Sequence, residues 1–170
     1  MIKIRMRKFR FILLAFAVSV LQQSLMHRFS YGYLGIDLIG LLAAFAALST
    51  TAGSALWAGL FLGLLRDLGS IGRLGASALS ILPAVMLVRA LKERFHRRNL
   101  ISDITLTFLF LLCSGILYRL GLAVAASGGP IYSSWLGYAL GNAALTVLLV
   151  PPFFALFRIS GVIEERKTTF

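Results

Sequence analysis

The chain has 170 residues, of which 59% are hydrophobic and only 14% charged, and its mean hydropathy is +0.89. A soluble domain carries about a quarter charged residues, so these totals exclude one and predict an all-α membrane protein. The net charge of +11 does not point to nucleic acid, because the lysines and arginines collect at the ends of apolar runs, where they set topology.

A helix that crosses the hydrocarbon core needs about 20 residues, so six spans use roughly 120 residues and leave only short loops. The amino end, MIKIRMRKFR, is basic and runs into the apolar stretch Phe11 to Val20. No A-x-A cleavage pattern follows it, so the first span is read as uncleaved, at Phe9–Met26. The second span is expected at Leu34–Leu48 and the third at Ala52–Leu68. The connection around Ser49 to Gly53 is short enough to make them an antiparallel hairpin. The fourth is expected at Ala76–Leu91, the fifth at Ile104–Ala125 and the sixth at Trp135–Phe157. Spans two to four are short, which implies local thinning of the bilayer or shielding by neighbours. The expectation is six transmembrane helices in a compact bundle, one polytopic membrane domain over residues 1–170.

Orientation follows from the basic residues. Lys3, Arg5, Arg7, Lys8 and Arg10 precede span one; Arg89, Lys92, Arg94, Arg97 and Arg98 lie between spans four and five. Arg158, Arg166 and Lys167 follow span six. With six spans these thirteen of seventeen fall on one side, and only Arg28, Arg66, Arg73 and Arg119 on the other. The positive-inside rule then places both termini in the cytoplasm.

The end of span three reads LLRDLGSIGRLG and puts Arg66 beside Asp67 near the outer face. A charge within the membrane is costly and usually faces protein or water. Arg66 can snorkel; the shorter Asp67 needs an arginine or backbone N–H groups to bond. Asp37, Arg73 and Arg119 fall at the same level, so an ionic cluster with Asp37 and Asp67 as its acids is expected. It either clamps helices or touches a ligand or partner. Gly59 and Gly63 form a G-x-x-x-G pair on span three, and Gly137 and Gly141 a second on span six; such pairs allow close helix approach. Gly69, Gly72 and Gly75 permit a tight or partly re-entrant turn. In span one, Ser19, Gln22, Gln23 and Ser24 offer hydrogen bonds to a partner helix, or are simply interfacial. Pro151-Pro152 either kinks span six, freeing carbonyls near Val147 and Leu148, or ends it near the inner face.

Little in the chain suggests chemistry. There is no H-E-x-x-H, G-x-S-x-G or P-loop. His27 and His96 fall at opposite faces, and Cys113 is the single cysteine, inside an apolar run, so no metal set or disulfide framework is expected. The expectation is a non-enzyme with no cofactor and no metal. The basic run Lys92 to Arg98 is a topology anchor, a lipid-headgroup contact or a cytoskeletal contact.

The segment GLFLGLLRDLGSIGRLGASAL, Gly59 to Leu79, resembles the signature of the MreD family of rod shape-determining proteins. Gly59, Gly63, Asp67, Leu68, Ser70, Leu74, Gly75, Ala78 and Leu79 carry the match over about 21 residues. Asp37 matches a family position that is often Asp or Asn. The family has an Asn followed by Pro in the last span; Asn142 is carried over, with Thr146 as the alternative, because Pro151-Pro152 stand further on than the family spacing. The resemblance implies a multi-pass subunit of the bacterial inner membrane. It implies binding to MreC, a single-span protein, in an assembly that links MreB filaments to a glycosyltransferase and a transpeptidase that build peptidoglycan. A homodimer is compatible with it. The family's six-helix arrangement is similar to the substrate-binding subunits of energy-coupling-factor transporters. A vitamin-like ligand is therefore the alternative expectation. The residues expected to fix structure or meet a partner are Asp37, Gly59, Gly63, Arg66, Asp67, Gly69, Arg73, Gly75, Arg119 and Asn142.

Overall fold

Leucine and alanine are strong helix formers, and they dominate the stretch LIGLLAAFAALS, which carries no charge. In the computed structural model this stretch is a helix at the centre of the molecule. The structure describes residues 3–29, 35–69, 74–94, 100–125, 134–160 and 163–166. In chain order the elements are β1 (Lys3–Met6), α1 (Lys8–Phe29), the central α2 (Leu38–Ser49), α3 (Ala52–Leu68) and α4 (Ala76–Arg94). Then come α5 (Leu100–Ala125), α6 (Ser134–Val147), α7 (Val150–Ile159) and β2 (Ile163–Arg166).

Every residue of α2 is buried, and it packs against α1, α3, α4, α5 and α6. A helix that is apolar all round belongs inside protein or lipid; here the surroundings are protein. At 12 residues and 1.5 Å per residue, α2 is about 18 Å long, short of the ~30 Å hydrocarbon core. It begins at Leu38, four residues after the expected start of span two; residues 30–34 are outside the described residues. Thr50 and Thr51 alone separate it from α3, so the expected hairpin is present.

Helix α1 has two stripes at helical spacing. Phe11, Ala15, Val18 and Gln22 are buried, while Phe9, Leu13, Phe16 and Val20 are exposed. Both stripes are largely apolar, as a helix between protein and lipid requires. Among the described residues one helix, Leu100–Val124, is long and apolar enough to cross a membrane alone. A second candidate is the pair Leu136–Val147 and Val150–Phe157, bent by 56°.

That bend is where the sequence puts two prolines. The expected sixth span is two helices, with Pro151 and Pro152 in the first turn of α7, where a missing N–H is tolerated. Leu149 N–H donates to Thr146 O at 3.1 Å, tightening the end of α6. The turn aims Phe154 and Phe157 at Phe45 of α2, with ring centroids 5.1 and 5.2 Å apart.

The strand pair is absent from the sequence-based expectation. β1 pairs antiparallel with β2 in the register Lys3↔Arg166, Ile4↔Glu165, Arg5↔Glu164 and Met6↔Ile163. The two tails therefore meet at one end of the molecule.

Candidate functional site

Asp37 stands immediately before α2 and caps it. Its Oδ1 accepts the Gly40 N–H at 2.8 Å, and a carboxylate is favoured at the positive end of a helix. Gly40 leaves room for it: a Cβ would lie 2.6 Å from Asp37 Oδ2 and 2.8 Å from Leu111 Cδ2, so a larger residue would displace the capping carboxylate. Asp37 Oδ2 accepts from Arg66 Nη1 at 2.8 Å, which ties α3 to the cap.

The other backbone donors at this end are met from distant segments. Ile39 N–H donates to Gln22 Oε1 of α1 at 2.8 Å. Asp37 N–H donates to Thr146 Oγ1 at 3.0 Å, and Gly35 N–H to Asn142 Oδ1 at 2.9 Å, both on α6. A buried helix end must be satisfied in some such way; here α1, α3 and α6 all converge on it. The far end of α2 is held by cations of α4. Arg89 Nη1 donates to Thr50 O at 2.7 Å and Ala47 O at 3.2 Å, and Lys92 Nζ donates to Leu48 O. Positive groups suit a helix C-terminus.

A cavity of about 110 Å³ opens beside the start of α2. Asp37, Arg66, Tyr118, Arg119, Asn142 and Thr146 form its polar wall. The two guanidinium groups and one carboxylate sum to +1. Each guanidinium also lies over an aromatic ring, Arg66 over Tyr118 at 5.6 Å and Arg119 over Tyr138 at 5.8 Å.

Asp67 has different partners from Asp37. It is 1% exposed, and its two oxygens accept from Gly75 N–H at 2.7 Å and Ser77 N–H at 3.1 Å. One carboxylate of α3 thus caps the start of α4. Gly75 has φ +93°, a left-handed conformation that only glycine adopts without strain. Four residues before Asp67, Gly63 touches α4 so closely that a Cβ would sit 2.4 Å from Ala78 Cα. One turn further back, a Cβ on Gly59 would sit 3.1 Å from Val85 Cγ2. Gly59, Gly63 and Asp67 recur every four residues, so they share one face, and that face is the α3–α4 seam.

Of the residues singled out by sequence, Asp37, Arg66, Arg119 and Asn142 meet at the cavity. Gly59, Gly63, Asp67 and Gly75 meet at the α3–α4 seam. Gly69 ends α3 below Gln23, whose Nε2 would lie 2.3 Å from an added Cβ. Arg73 lies outside the described residues, as does Gly72. Of Ser19, Gln22, Gln23 and Ser24, read as bonds to a partner helix or as interfacial, Ser19 and Gln22 are buried inside the chain and Gln23 and Ser24 are exposed. Gly137, by contrast, has open space where a Cβ would go. Gly40, Gly35 and Tyr118 escape the sequence reading. Thr146, the alternative to Asn142 in the family resemblance, lies four residues from it on one face of α6, and both line the cavity.

No curated protein and no solved structure matches the chain. The family model described as rod shape-determining protein MreD matches residues 4–160. The match takes in nearly the whole chain, the cavity and the α3–α4 seam with it. The chain therefore belongs to the MreD family of rod shape-determining membrane proteins.

Proposed function

We propose that this chain is a non-catalytic scaffold of the bacterial cell-elongation complex that binds the transmembrane segment of MreC in the inner membrane. Through MreC it supports peptidoglycan synthesis by a glycosyltransferase and a transpeptidase, in register with MreB filaments. The observation that carries the reading is how the family signature is used. Gly63 lets two helices touch and Asp67 caps one from the other, which suits a rigid platform rather than a reaction centre.

In this reading the chain is one membrane domain with six crossings, α2 being a shortened central one and α6–α7 a broken one. The strand pairing supports it, because tails that meet at one end require an even number of crossings. The basic tails support a cytoplasmic position for that end, which puts the cavity on the periplasmic side. A partner helix laid on α1 would meet the exposed stripe of Phe9, Leu13, Phe16 and Val20, since Ser19 and Gln22 are turned inward.

Gentle purification from native membranes, followed by identification of bound proteins, tests the reading. MreC is expected to copurify in stoichiometric amount. A folded, monodisperse preparation that never carries MreC would remove the scaffold reading. The second reading, a vitamin-binding subunit of an energy-coupling-factor transporter, is favoured by one observation, the polar cavity beside α2. It expects an energising module and a tightly bound vitamin in the same preparation.

A further inference from the structure

The cavity beside the start of α2 has an imbalance of hydrogen-bonding groups. The carboxylate, amide and threonine oxygens in its wall each receive a donor: Asp37 Oδ1 from Gly40, Asp37 Oδ2 from Arg66, Asn142 Oδ1 from Gly35 and Thr146 Oγ1 from Asp37. The donors are in surplus. The Gly35 N–H fixes which end of the Asn142 amide is oxygen, so its NH2 group has two hydrogens to give. Thr146 accepts an N–H and keeps its own hydroxyl hydrogen. Arg66 uses one nitrogen on Asp37. Among the described residues Arg119 has no carboxylate partner at all; its recorded contact is the ring face of Tyr138.

Position sharpens the point. Arg119 lies six residues before the end of α5, about 9 Å along the axis. A guanidinium at such a depth is costly unless it meets an anion or water. The 110 Å³ cavity far exceeds the roughly 10–15 Å³ that one water needs, so a compact polyatomic ion fits. The donors come from three helices, α3, α5 and α6, and so from several directions. A tetrahedral oxyanion offers an oxygen to each, whereas a flat carboxylate offers two in one plane. Guanidinium groups suit phosphate in addition through paired N–H···O bonds.

We propose that this cavity binds a phosphate group, with Arg119 as its principal ligand and Arg66 and Asn142 beside it. A phospholipid headgroup and a free inorganic phosphate present the same chemistry. The site does not depend on the contact with MreC, and its failure would leave the scaffold reading in place.

The test uses the full chain purified in a non-ionic detergent, with thermal unfolding as the readout. Inorganic phosphate is titrated in one arm. Phosphatidic acid is titrated in the other, against diacylglycerol with the same acyl chains as the phosphate-free control. Saturable stabilisation by inorganic phosphate identifies a soluble source, and stabilisation by phosphatidic acid alone identifies a lipid headgroup. Arg119→Gln should raise the apparent Kd at least about tenfold, about 1.4 kcal/mol, and Arg119→Lys should raise it less. Arg10→Gln, at an exposed position, should leave it unchanged. Gly115→Val fills the cavity without removing a charge; the nearest atom to its Cβ is Ala139 Cβ at 3.8 Å. It should abolish binding, and it serves if Arg119→Gln does not fold. No saturable stabilisation in either arm, or wild-type affinity in the folded Arg119→Gln or Gly115→Val protein, overturns the proposal.

Discussion

Two aspartates in this chain do unlike jobs with the same chemistry. Asp67 is buried and receives two backbone N–H groups from α4; Asp37 is partly exposed and shares itself between its own helix and Arg66. In Asp67→Asn the amide can accept only through its one oxygen, so one N–H faces another. The expected cost is about 1–3 kcal/mol, seen as a lower Tm in detergent while membrane insertion persists. An unchanged Tm would show that the cap is dispensable. For Asp37 and Arg66 the measurement is a double-mutant cycle with Asp37→Asn and Arg66→Gln. With side chains 18% and 27% exposed, their coupling should be about 1 kcal/mol, and additivity of the two single variants would dissolve the pair. Spacing alone shows that Gly59, Gly63 and Asp67 share a face. It does not show that Asp67 meets the N–H groups of Gly75 and Ser77, because that depends on where α4 begins.

At the scale of the helices, the α3–α4 seam sets an order among glycine variants. Gly63→Ala drives a methyl into the backbone of Ala78, which cannot swing aside. It should cost about 1–3 kcal/mol or more, as overpacking does. Gly59→Ala meets the Val85 and Ile81 Cγ2 methyls at 3.1 and 3.3 Å, side-chain atoms rather than backbone, and should cost less. Gly137→Ala meets nothing and, inside α6, should unfold at or slightly above the wild-type temperature. Ranking the three by thermal unfolding checks the seam; a Gly137→Ala protein weaker than Gly63→Ala would place the tight contact elsewhere. Helices α1, α3, α4 and α5 are legible in the sequence because long apolar runs end in charges or glycines. The division of the last span is legible only as a choice, since Pro151-Pro152 can bend a helix or end it. The structure ends one helix and starts another, and the reason is the aromatic contact of Phe154 and Phe157 with Phe45, a tertiary fact with no local sign. Gln22 likewise looks interfacial until the start of α2 is known to lie beside it.

For the whole molecule, the tails decide most. KIRM and IEER look like topology anchors because basic and acidic residues crowd them; that they form a ladder depends on residues 157–163 positions apart meeting at one end. In a Cys113→Ser background, Met6→Cys and Ile163→Cys are cross-strand partners and should form an intramolecular disulfide on mild oxidation. A membrane-impermeant thiol reagent should reach both from the same side. Failure to cross-link, with labelling from opposite sides, would separate the tails and with them the even number of crossings.

The central helix carries a consequence for biosynthesis. Two of the groups that complete its start, Asn142 and Thr146, lie 107 and 109 residues beyond the backbone atoms they receive. At about 5–20 residues per second, α2 waits on the order of 5–20 s after its own synthesis before they emerge. Until then the Gly35 and Asp37 N–H groups that lead into it are open to whatever surrounds them. A nascent chain arrested before α6 is thus a natural client for a membrane chaperone or protease, and release of such a chain from surveillance would mark the moment the last helices arrive.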